Sequence, residues 1–370
     1  MKVLQITHGY YQTKVYQKLF EKLAPQLDYC VAIPVDRSSE RTDFEIGPVR
    51  YCNIPGVENR RFGLLKNARR CMALIEKKID LREIDLIHAH FLTDAAIARL
   101  IRKKYGIPYV TSVRISCCEG FIRSRKVYRR IIARQVLRQA AGVVFIAPAT
   151  RQAALQALPN GLSCACAAKS AVIPNGIDDF WHANACHGRQ LARGKTIRVI
   201  TVASLIRRKN QIAVARAIAS LREAGYDLEY VLYGDAQDEA QLAELTAYDF
   251  VRYEGVRPKE QLIEAYREAD IFALVSHRET FGLVYAEALS QALPVIWSRG
   301  EGFDGQLPEG TGGVSAAPED IEEIKHAITQ VIEHYEALSA GCAEAAKRFD
   351  WARSAAQYRA MYKRVMENKT

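Results

Sequence analysis

The chain has 370 residues, 49% of them hydrophobic, and a net charge of +10. This length predicts two or three domains with substantial cores, and no apolar run reaches the roughly 18 residues of a membrane-spanning helix. The positive charge is compatible with nucleic acid, an anionic membrane surface or an acidic small molecule. No nucleic-acid-binding motif accompanies the basic segments, so we expect no nucleic-acid partner.

Nine cysteines are scattered along the chain without paired C-x2-C knuckles. Residues 1–7 look like a buried strand rather than a signal peptide, so we expect reduced core thiols and a cytoplasmic protein. Cys164 and Cys166, with His182 and His187, are an alternative as a zinc site. Their spacings match no common structural zinc motif.

The first half alternates short apolar runs with longer helical ones, which predicts a parallel sheet covered by helices on both faces. The predicted strands are residues 3–7, 29–33, 86–89, 109–113, 143–146 and 171–173. The predicted helices are residues 16–23, 64–77, 95–104, 126–139 and 149–158. Pro174 and the Asn-Gly after it mark a turn, and the polar stretch 179–195 predicts a linker.

Two segments concentrate positive charge among apolar residues. The first has the pattern of an amphipathic basic helix, of the kind that docks on anionic membranes. Its basic residues are Arg123, Arg125, Lys126, Arg129, Arg130, Arg134 and Arg138. The second cluster is Arg60, Arg61, Lys66, Arg69 and Arg70. A solvated helix face opposite a core face is the alternative interpretation.

A second alternation follows, which predicts another Rossmann-like α/β unit. Its predicted strands are residues 197–202, 229–233, 251–253, 271–275 and 294–297. Its predicted helices are residues 211–224, 236–246, 259–268, 283–291, 318–338 and 340–348, and a further helix is predicted over 352–366.

Two glutamates with seven residues between them are the most informative feature of the sequence. Glu279 follows a predicted strand, and Glu287 lies in the helix after it. Open α/β sheets bind ligands at the carboxyl ends of their strands, and helix N-termini favour phosphate. A loop carboxylate, the free amides of Gly282 and Leu283, and a second carboxylate one turn later suit a sugar nucleotide. They could face the sugar, the diphosphate and the ribose, respectively.

The segment Glu279-Thr280-Phe281-Gly282-Leu283, followed by Glu287 and by Leu293-Pro294-Val295-Ile296, resembles the retaining glycosyltransferases of family 4. The resemblance implies the α/β GT-B fold, with two Rossmann-like domains facing across an interdomain cleft. We therefore expect an acceptor-side domain over 1–178, a linker over 179–195 and a nucleotide-sugar-binding domain over 196–350. The last segment, 351–370, would form a helix that returns to the first domain.

The resemblance also implies roles for donor-side residues. Glu279 would stabilise the reacting sugar, Glu287 would hold the ribose, and Lys209 would hold the diphosphate together with the backbone amides of Phe281, Gly282 and Leu283. Ser204 stands where the family has an arginine, and Arg207 or Arg208 could take over its contact. Gly234 lies in a turn similar to the family's Gly-Asp-Gly, with Ala236 in place of the second glycine. Val256 and Arg257 would lie near the nucleobase.

On the acceptor side, the resemblance points to Gly9 and Tyr10 after the first strand. Arg114 occupies a position where many relatives have histidine, and it cannot serve as a general base because it stays charged. His88 and His90 are alternative acceptor contacts, or polar residues that merely end a strand. The loop 300–305 resembles a Gly-x-Asp-Gly segment that could border the donor sugar or simply be a permissive loop.

The resemblance implies a metal-independent, retaining hexosyltransferase with a UDP- or GDP-sugar as co-substrate and no cofactor. The expected acceptor is a lipid-linked saccharide in capsule, exopolysaccharide or lipopolysaccharide synthesis, which would place the protein at the inner face of the cytoplasmic membrane. The alternatives are a sugar-nucleotide epimerase, an inverting transferase, or a non-catalytic nucleotide-sugar or glycan-binding relative. A dehydrogenase is disfavoured because no strand opens into Gly-x-Gly-x-x-Gly.

Overall fold

The computed structural model describes residues 1–58, 63–114, 118–192 and 194–368. They form two compact units. Unit 1 comprises Met1–Ile146, Thr150–Pro174 and Trp351–Thr370, and unit 2 comprises Ala147–Ala149 and Asn175–Asp350. Arg60 and Arg61 of the second basic cluster lie outside the described residues.

Unit 1 is built on an eight-stranded sheet in the order β3-β4-β2-β1-β5-β6-β7-β8. β3 runs antiparallel to β4, and the other neighbouring strands are parallel. Parallel strands buried on both faces need continuous apolar runs, which is why they were recognisable in the sequence. The strands are β1 (Lys2–Ile6), β2 (Asp28–Asp36), β3 (Phe44–Ile46), β4 (Val49–Val57), β5 (Leu86–Ala89), β6 (Tyr109–Val113), β7 (Gly142–Phe145) and β8 (Ser170–Val172).

Helices cover both faces of this sheet, as predicted. α1 and the C-terminal helix α14 pack into one core, whereas α2, α3 and α4 pack into the core on the other face. The helices of unit 1 are α1 (Val15–Leu23), α2 (Leu64–Lys78), α3 (Leu92–Tyr105), α4 (Val127–Gln139), α5 (Pro148–Gln156), α6 (Asn160–Ala168) and α14 (Trp351–Glu367). Short 3-10 turns cover Ala24–Gln26 and Leu81–Glu83, and a π-helical turn covers Cys118–Ile122.

The C-terminal helix α14 belongs to unit 1, which confirms the predicted return of the chain. The Tyr362 hydroxyl lies 2.7 Å from His88 Nδ1 and accepts a hydrogen bond of 3.3 Å from Gln5 Nε2, so the helix is tied to β5 and β1 inside the core. Near its start, the Ser354 hydroxyl donates to the carbonyl of Pro174 over 2.7 Å.

Unit 2 contains a six-stranded parallel sheet in the order β11-β10-β9-β12-β13-β14. The direction of strand order reverses between β9 and β12, which makes this pair the topological switch point. The strands are β9 (Ile197–Val202), β10 (Leu228–Tyr233), β11 (Val251–Gly255), β12 (Ile271–Leu274), β13 (Val295–Ser298) and β14 (Gly313–Ala316). The helices are α7 (Asp179–Ala183), α8 (Gln211–Glu223), α9 (Glu239–Thr246), α10 (Lys259–Glu268), α11 (Leu283–Ser290), α12 (Ile321–Glu333) and α13 (Tyr335–Ala346), with a 3-10 turn at Arg207–Lys209.

The stretch 179–195, interpreted from sequence as a linker, contains α7, and its described residues group with unit 2. Arg189 donates its backbone N–H to the Ser339 hydroxyl over 2.8 Å. Its guanidinium donates to the carbonyls of Tyr266, at 3.1 Å, and Ala269, at 2.5 Å. These contacts to folded elements anchor the polar segment to the unit.

Among the described residues, five strands and α-helices have no counterpart in the predicted set: β3, β4, β14, α6 and α7. β4 contains Pro55 and Gly56, which are ordinarily turn signals. Glycine is required at position 56 because a Cβ there would lie 2.5 Å from the Cys71 sulfur. Its absence lets α2 pack directly against the backbone of β4. Among the described residues, no helix combines the length and apolar character needed to cross a bilayer.

Tyr362→Phe should lower the free energy of unfolding by about 1–3 kcal/mol, because it leaves buried polar atoms of His88 and Gln5 without their partner. Urea unfolding followed by circular dichroism measures this difference. Tyr105→Phe is a matched control at an exposed hydroxyl and should change the unfolding free energy by less than about 0.5 kcal/mol. Equal stability of the two variants would contradict an anchoring role for the Tyr362 hydroxyl.

Candidate functional site

The candidate site is built from two loops at the carboxyl ends of β9 and β12. These strands are parallel neighbours, with Ile271 opposite Val199, so both loops leave the same edge of the sheet. The His277 N–H donates to the Arg208 carbonyl over 2.8 Å, and Asn210 Nδ2 donates to the Val275 carbonyl over 3.0 Å. The backbone therefore fixes the distance between the two loops.

These hydrogen bonds between the two loops bring Lys209 and Glu279 together. Lys209 Nζ lies 2.5 Å from Glu279 Oε2, and only 13% and 9% of the two side chains are exposed. The other carboxylate oxygen accepts the Thr280 N–H over 3.0 Å, and the Glu279 carbonyl accepts the Gly302 N–H over 2.9 Å. A fixed cation and a fixed anion thus stand side by side in a mostly desolvated position, where charges interact strongly.

Gly282 starts helix α11 in a conformation that favours glycine. Its φ is +76°, and a Cβ would lie 2.3 Å from the ring of Tyr285. Tyr285 cannot easily move, because it is fully buried and its hydroxyl donates to the Leu274 carbonyl over 2.5 Å. Helix geometry leaves the first amide groups of α11 without intrahelical acceptors, so the helix presents N–H donors next to Glu279.

Glu287 lies one turn inside α11 and is half-buried. The Tyr266 hydroxyl donates to its Oε2 over 3.5 Å. Burial raises the pKa of Glu287 to about 7, the Tyr266 hydrogen bond opposes that rise, and the charge of Asp178 adds to it. Asp178 is itself paired with Lys259 at 3.1 Å. Glu287 therefore changes protonation state near neutral pH.

The remaining donor-side residues occupy the same edge of the sheet, because they follow parallel strands. Gly234, after β10, packs on the β9 loop so tightly that a Cβ would lie 2.0 Å from the Ala203 carbonyl oxygen. Ser204 is half-buried, and its carbonyl accepts from Gln211 Nε2 over 3.1 Å. Arg208 is exposed, and Val256, after β11, is 66% exposed. Arg257 pairs with Glu254 at 3.4 Å.

The loop Gly300–Gly305 closes on itself through Asp304. The Asp304 carboxylate accepts Trp297 Nε1–H over 3.1 Å and the Gly300 N–H over 2.8 Å. Gly302 in this loop approaches the Thr280 carbonyl so closely that a Cβ would lie 2.2 Å from its oxygen. The loop thus packs on the segment that carries Glu279.

The structure places two of the predicted acceptor-side residues, His88 and Tyr10, in the interior of unit 1. His88 is fully buried, with Nδ1 against the Tyr362 hydroxyl and Nε2 at 2.9 Å from the Ser112 hydroxyl. Burial, with a contribution from Arg114, lowers the pKa of His88 to about 3, so it is neutral near pH 7. Tyr10 is buried, with its ring centroid 5.2 Å from that of Tyr51.

The other two acceptor-side residues pack against aromatic rings of unit 1. A Cβ at Gly9 would lie 2.8 Å from the Tyr16 ring. The Arg114 guanidinium lies over the rings of Tyr16, at 5.2 Å, and Phe91, at 5.4 Å. His90, the alternative to His88, is 1% exposed and hydrogen-bonded to Gln5 at 2.9 Å.

Sequence reasoning missed a histidine–carboxylate pair at the switch point of the first sheet. His8 follows β1 and Asp94 follows β5, and these strands are parallel neighbours. His8 Nδ1 lies 2.9 Å from Asp94 Oδ1, and Asp94 is 2% exposed. Burial lowers the pKa of His8, but Asp94 outweighs it and the net shift is upward despite Arg114. Part of the signal was available, because each residue follows a predicted strand, but the pairing of the two strands came only from the structure.

His8 and Asp94 line a cavity of about 630 Å³ in unit 1. Aromatic and charged side chains share its wall, among them Tyr11, with Arg41 stacked 3.8 Å above its ring centroid. Aromatic faces with nearby hydrogen-bonding groups suit a polar ligand with some apolar surface. The cavity is thus a second candidate binding site, contained within one unit.

A metal centre is not apparent in the part of the chain that the structure describes. There, no three His, Cys, Asp or Glu side chains are grouped in a way that could hold a metal ion. The cysteines with described side chains, Cys164 and Cys166 among them, are free thiols. The adjacent Cys117 and Cys118 lie outside the described side chains.

Two segments of the chain match known protein families. Residues 13–176 match the family described as "Glycosyl transferase 4-like domain", and residues 186–349 match "Glycosyl transferases group 1". Each of these two segments is therefore similar to a glycosyltransferase domain. The candidate site, from Lys209 to Glu287, lies in the segment that matches glycosyl transferases group 1. Asp94 lies in the other matched segment, and His8 precedes that segment.

Curated relatives include two enzymes named D-inositol 3-phosphate glycosyltransferase. The one from Mycolicibacterium smegmatis is 33% identical over 126 residues, which is 34% of this chain and 29% of that protein. The one from Corynebacterium jeikeium is 26% identical over 309 residues, or 76% of this chain and 72% of that protein. The match to the Mycolicibacterium smegmatis enzyme thus spans less than a third of that protein.

Solved structures show the same two-domain GT-B fold, which confirms the predicted fold class. Sucrose-phosphate synthase from Thermosynechococcus elongatus gives a TM-score of 0.74 at 17% identity, covering 100% of both chains. Anabaena Alr3699/HepE in complex with UDP and glucose gives a TM-score of 0.69 at 18% identity, covering 98% of this chain and 99% of that one.

Glu287→Gln should raise the free energy of unfolding of unit 2 by an amount that depends on pH. Burial raises the pKa of Glu287 in the folded state to about 7, so the folded protein binds this proton more tightly than the unfolded chain does. The stability that the bound proton contributes is lost as the pH rises through about 7. The variant should therefore gain about 1–2 kcal/mol at pH 8 and almost nothing at pH 4, since a half-buried carboxylate keeps part of its hydration. Thermal unfolding across pH measures this. A gain of equal size at both pH values would contradict it.

Proposed function

We propose that this protein is a retaining glycosyltransferase that moves a hexose from a nucleotide sugar to a saccharide acceptor. The observation that carries this proposal is the desolvated Lys209–Glu279 pair beside the N-terminus of α11. A cation and helix amides suit a diphosphate, and a carboxylate suits the positive charge that develops at an anomeric carbon. The two matched glycosyltransferase domains support the same activity.

In this mechanism the sugar is transferred on the face from which the diphosphate leaves. The acceptor oxygen forms a bond to the anomeric carbon as the bond from that carbon to the phosphate oxygen breaks. The departing phosphate takes the acceptor's proton. Glu279 orients the sugar hydroxyls and stabilises the anomeric carbon, while Lys209 and the amides of Phe281, Gly282 and Leu283 hold the leaving diphosphate.

The donor is proposed to be a UDP- or GDP-sugar whose ribose hydroxyls bind Glu287. Anabaena Alr3699/HepE, which shares the fold, was solved with UDP-glucose, and this supports a nucleotide-sugar ligand. Gly234 and the β11 loop, which carries Val256 and Arg257, leave the same sheet edge and would contact the nucleotide. We assign no metal ion to the reaction, because Lys209 and the helix amides supply the positive potential that the diphosphate needs.

The acceptor is proposed to be a lipid-linked saccharide of bacterial capsule, exopolysaccharide or lipopolysaccharide, encountered at the inner face of the cytoplasmic membrane. The cavity that His8 and Asp94 line would bind its terminal sugar. With Asp94 holding Nδ1, His8 would use its other ring nitrogen to bind an acceptor hydroxyl. The basic helix α4 supports a position near anionic lipid.

Glu279→Ala should lower the turnover number by a hundredfold or more, because one well-placed transition-state contact is worth roughly 3–4 kcal/mol. UDP and GDP binding should change little. The measurement is release of nucleoside diphosphate from a panel of nucleotide sugars, with and without saccharide acceptors. Glu322→Ala, which removes an exposed carboxylate of α12, is the control variant and should retain most turnover. A Glu279→Ala enzyme with near wild-type transfer would remove the proposed role.

Lys209→Ala should weaken donor affinity by about tenfold or more, since a charge-assisted contact to phosphate is lost. Isothermal titration calorimetry with UDP and GDP measures this, and Arg216→Ala, which removes an exposed cation of α8, is the matched control. Unchanged affinity in the Lys209 variant would count against a diphosphate site at this loop. A wild-type protein that binds neither nucleotide and hydrolyses no donor would reject the proposed function as a whole.

A further inference from the structure

Three helices of unit 1 carry a net charge as large as that of the whole chain. We call the exposed side chains of α2, α3 and α4 the basic face. α3 packs against both α2 and α4, so the three helices lie side by side on the same side of the sheet. The Arg102 guanidinium of α3 donates to the Gln139 carbonyl at the end of α4, which joins these two helices at their C-termini.

The charge on these helices is strongly one-sided. Together they contain thirteen basic and two acidic residues, a net charge of +11, whereas the whole chain carries +10. Neither acid leaves an isolated negative charge at the surface. Asp94 is buried against His8, and Glu76 accepts from Lys104 over 2.9 Å. The rest of the chain is therefore close to neutral in net charge. Two of the cations are paired with acids of other segments, Arg70 with Glu58 at 2.9 Å and Lys78 with Asp43 at 2.7 Å, and the remaining cations give the face its positive charge.

Apolar side chains are exposed among these cations. On α4 the exposed stripe begins with Val127, at 56% exposure, and Ile131, at 48%, and continues through Arg134 and Arg138. Leu65, at the start of α2, is 41% exposed. Cations mixed with exposed aliphatic side chains are typical of surfaces that enter the headgroup region of a bilayer.

A groove of about 430 Å³ separates α2 from α3 on this face. Met72, Ala73 and Leu100 provide its apolar lining, and Arg69 and Lys103 are among the cations at the same groove. An acyl chain with an anionic headgroup matches this combination. The phosphate backbone of a nucleic acid would use the cations but would leave the aliphatic side chains in water.

We propose that the basic face docks on an anionic phospholipid bilayer, with the α2–α3 groove and the Val127–Ile131 stripe in contact with lipid. This inference does not depend on the proposed glycosyl transfer, because it concerns a different surface and needs no substrate. It extends the sequence prediction from one basic helix to a three-helix surface. Electrostatic attraction brings the face to the membrane, and the aliphatic side chains hold it there.

The test is co-sedimentation of the full chain with phosphatidylcholine vesicles that contain or lack phosphatidylglycerol, at low and high salt. We expect wild-type binding only to the anionic vesicles, decreasing with salt. Arg69→Gln, Lys103→Gln and Arg134→Gln together should weaken binding on the order of a hundredfold, at about fivefold per lost cation. The double variant Val127→Ser with Ile131→Ser should weaken binding several-fold at both salt concentrations, because these two aliphatic side chains do not contribute through electrostatics.

The matched control removes three cations from the opposite side of the same sheet: Arg359→Gln, Lys363→Gln and Arg364→Gln on α14. It should bind vesicles within about twofold of wild type, and circular dichroism and UDP affinity should be unchanged in every variant. Equal loss in the control would overturn the proposal, because net charge alone would then explain binding. Absence of wild-type binding at low salt, or tighter binding to mixed-sequence RNA than to anionic vesicles, would overturn it as well.

Discussion

The parallel pairing of β9 with β12 is the constraint on which the candidate site depends. Because both strands run in the same direction, their loops leave the sheet at one edge, and a backbone hydrogen bond from His277 to Arg208 fixes the separation of the loops. Lys209 and Glu279 are 70 residues apart in sequence, yet their charged atoms meet at 2.5 Å. Neither side chain could be held this way if the loops moved independently.

Glycines make the rest of this geometry possible. Gly282 allows α11 to begin directly over the Tyr285 ring, and Gly302 allows a second loop to press on the Glu279 segment. Gly234 allows β10 to end against the β9 loop. At each position a Cβ would meet protein atoms at 2.0–2.3 Å, so the loops pack as closely as backbone permits. The resulting edge of the sheet presents backbone amides and a few charged groups rather than bulky side chains.

Unit 1 uses the same topological feature with different chemistry. Its sheet reverses order between β1 and β5, and there His8 and Asp94 pair beside a cavity. The two faces of this sheet have separate roles. One face of the sheet is covered by α14, whose Tyr362 side chain lies in the core. The other face is covered by α2, α3 and α4, which carry the exposed cations. A hydrophobic core on both sides thus coexists with a strongly basic exterior on one.

The sequence by itself determined the two α/β units, the GT-B fold and most of the parallel strands, because buried strands require apolar runs wherever they occur. It also indicated the Glu279–Glu287 segment, since a strand, a glycine and a helix follow one another locally there. Only the tertiary structure decided which residues meet across the sheet: the Lys209–Glu279 contact, the His8–Asp94 pair and the union of separate basic segments into one face. Such pairings depend on strand order and helix packing. Both are set by burial summed over the whole unit, which no short stretch of sequence encodes.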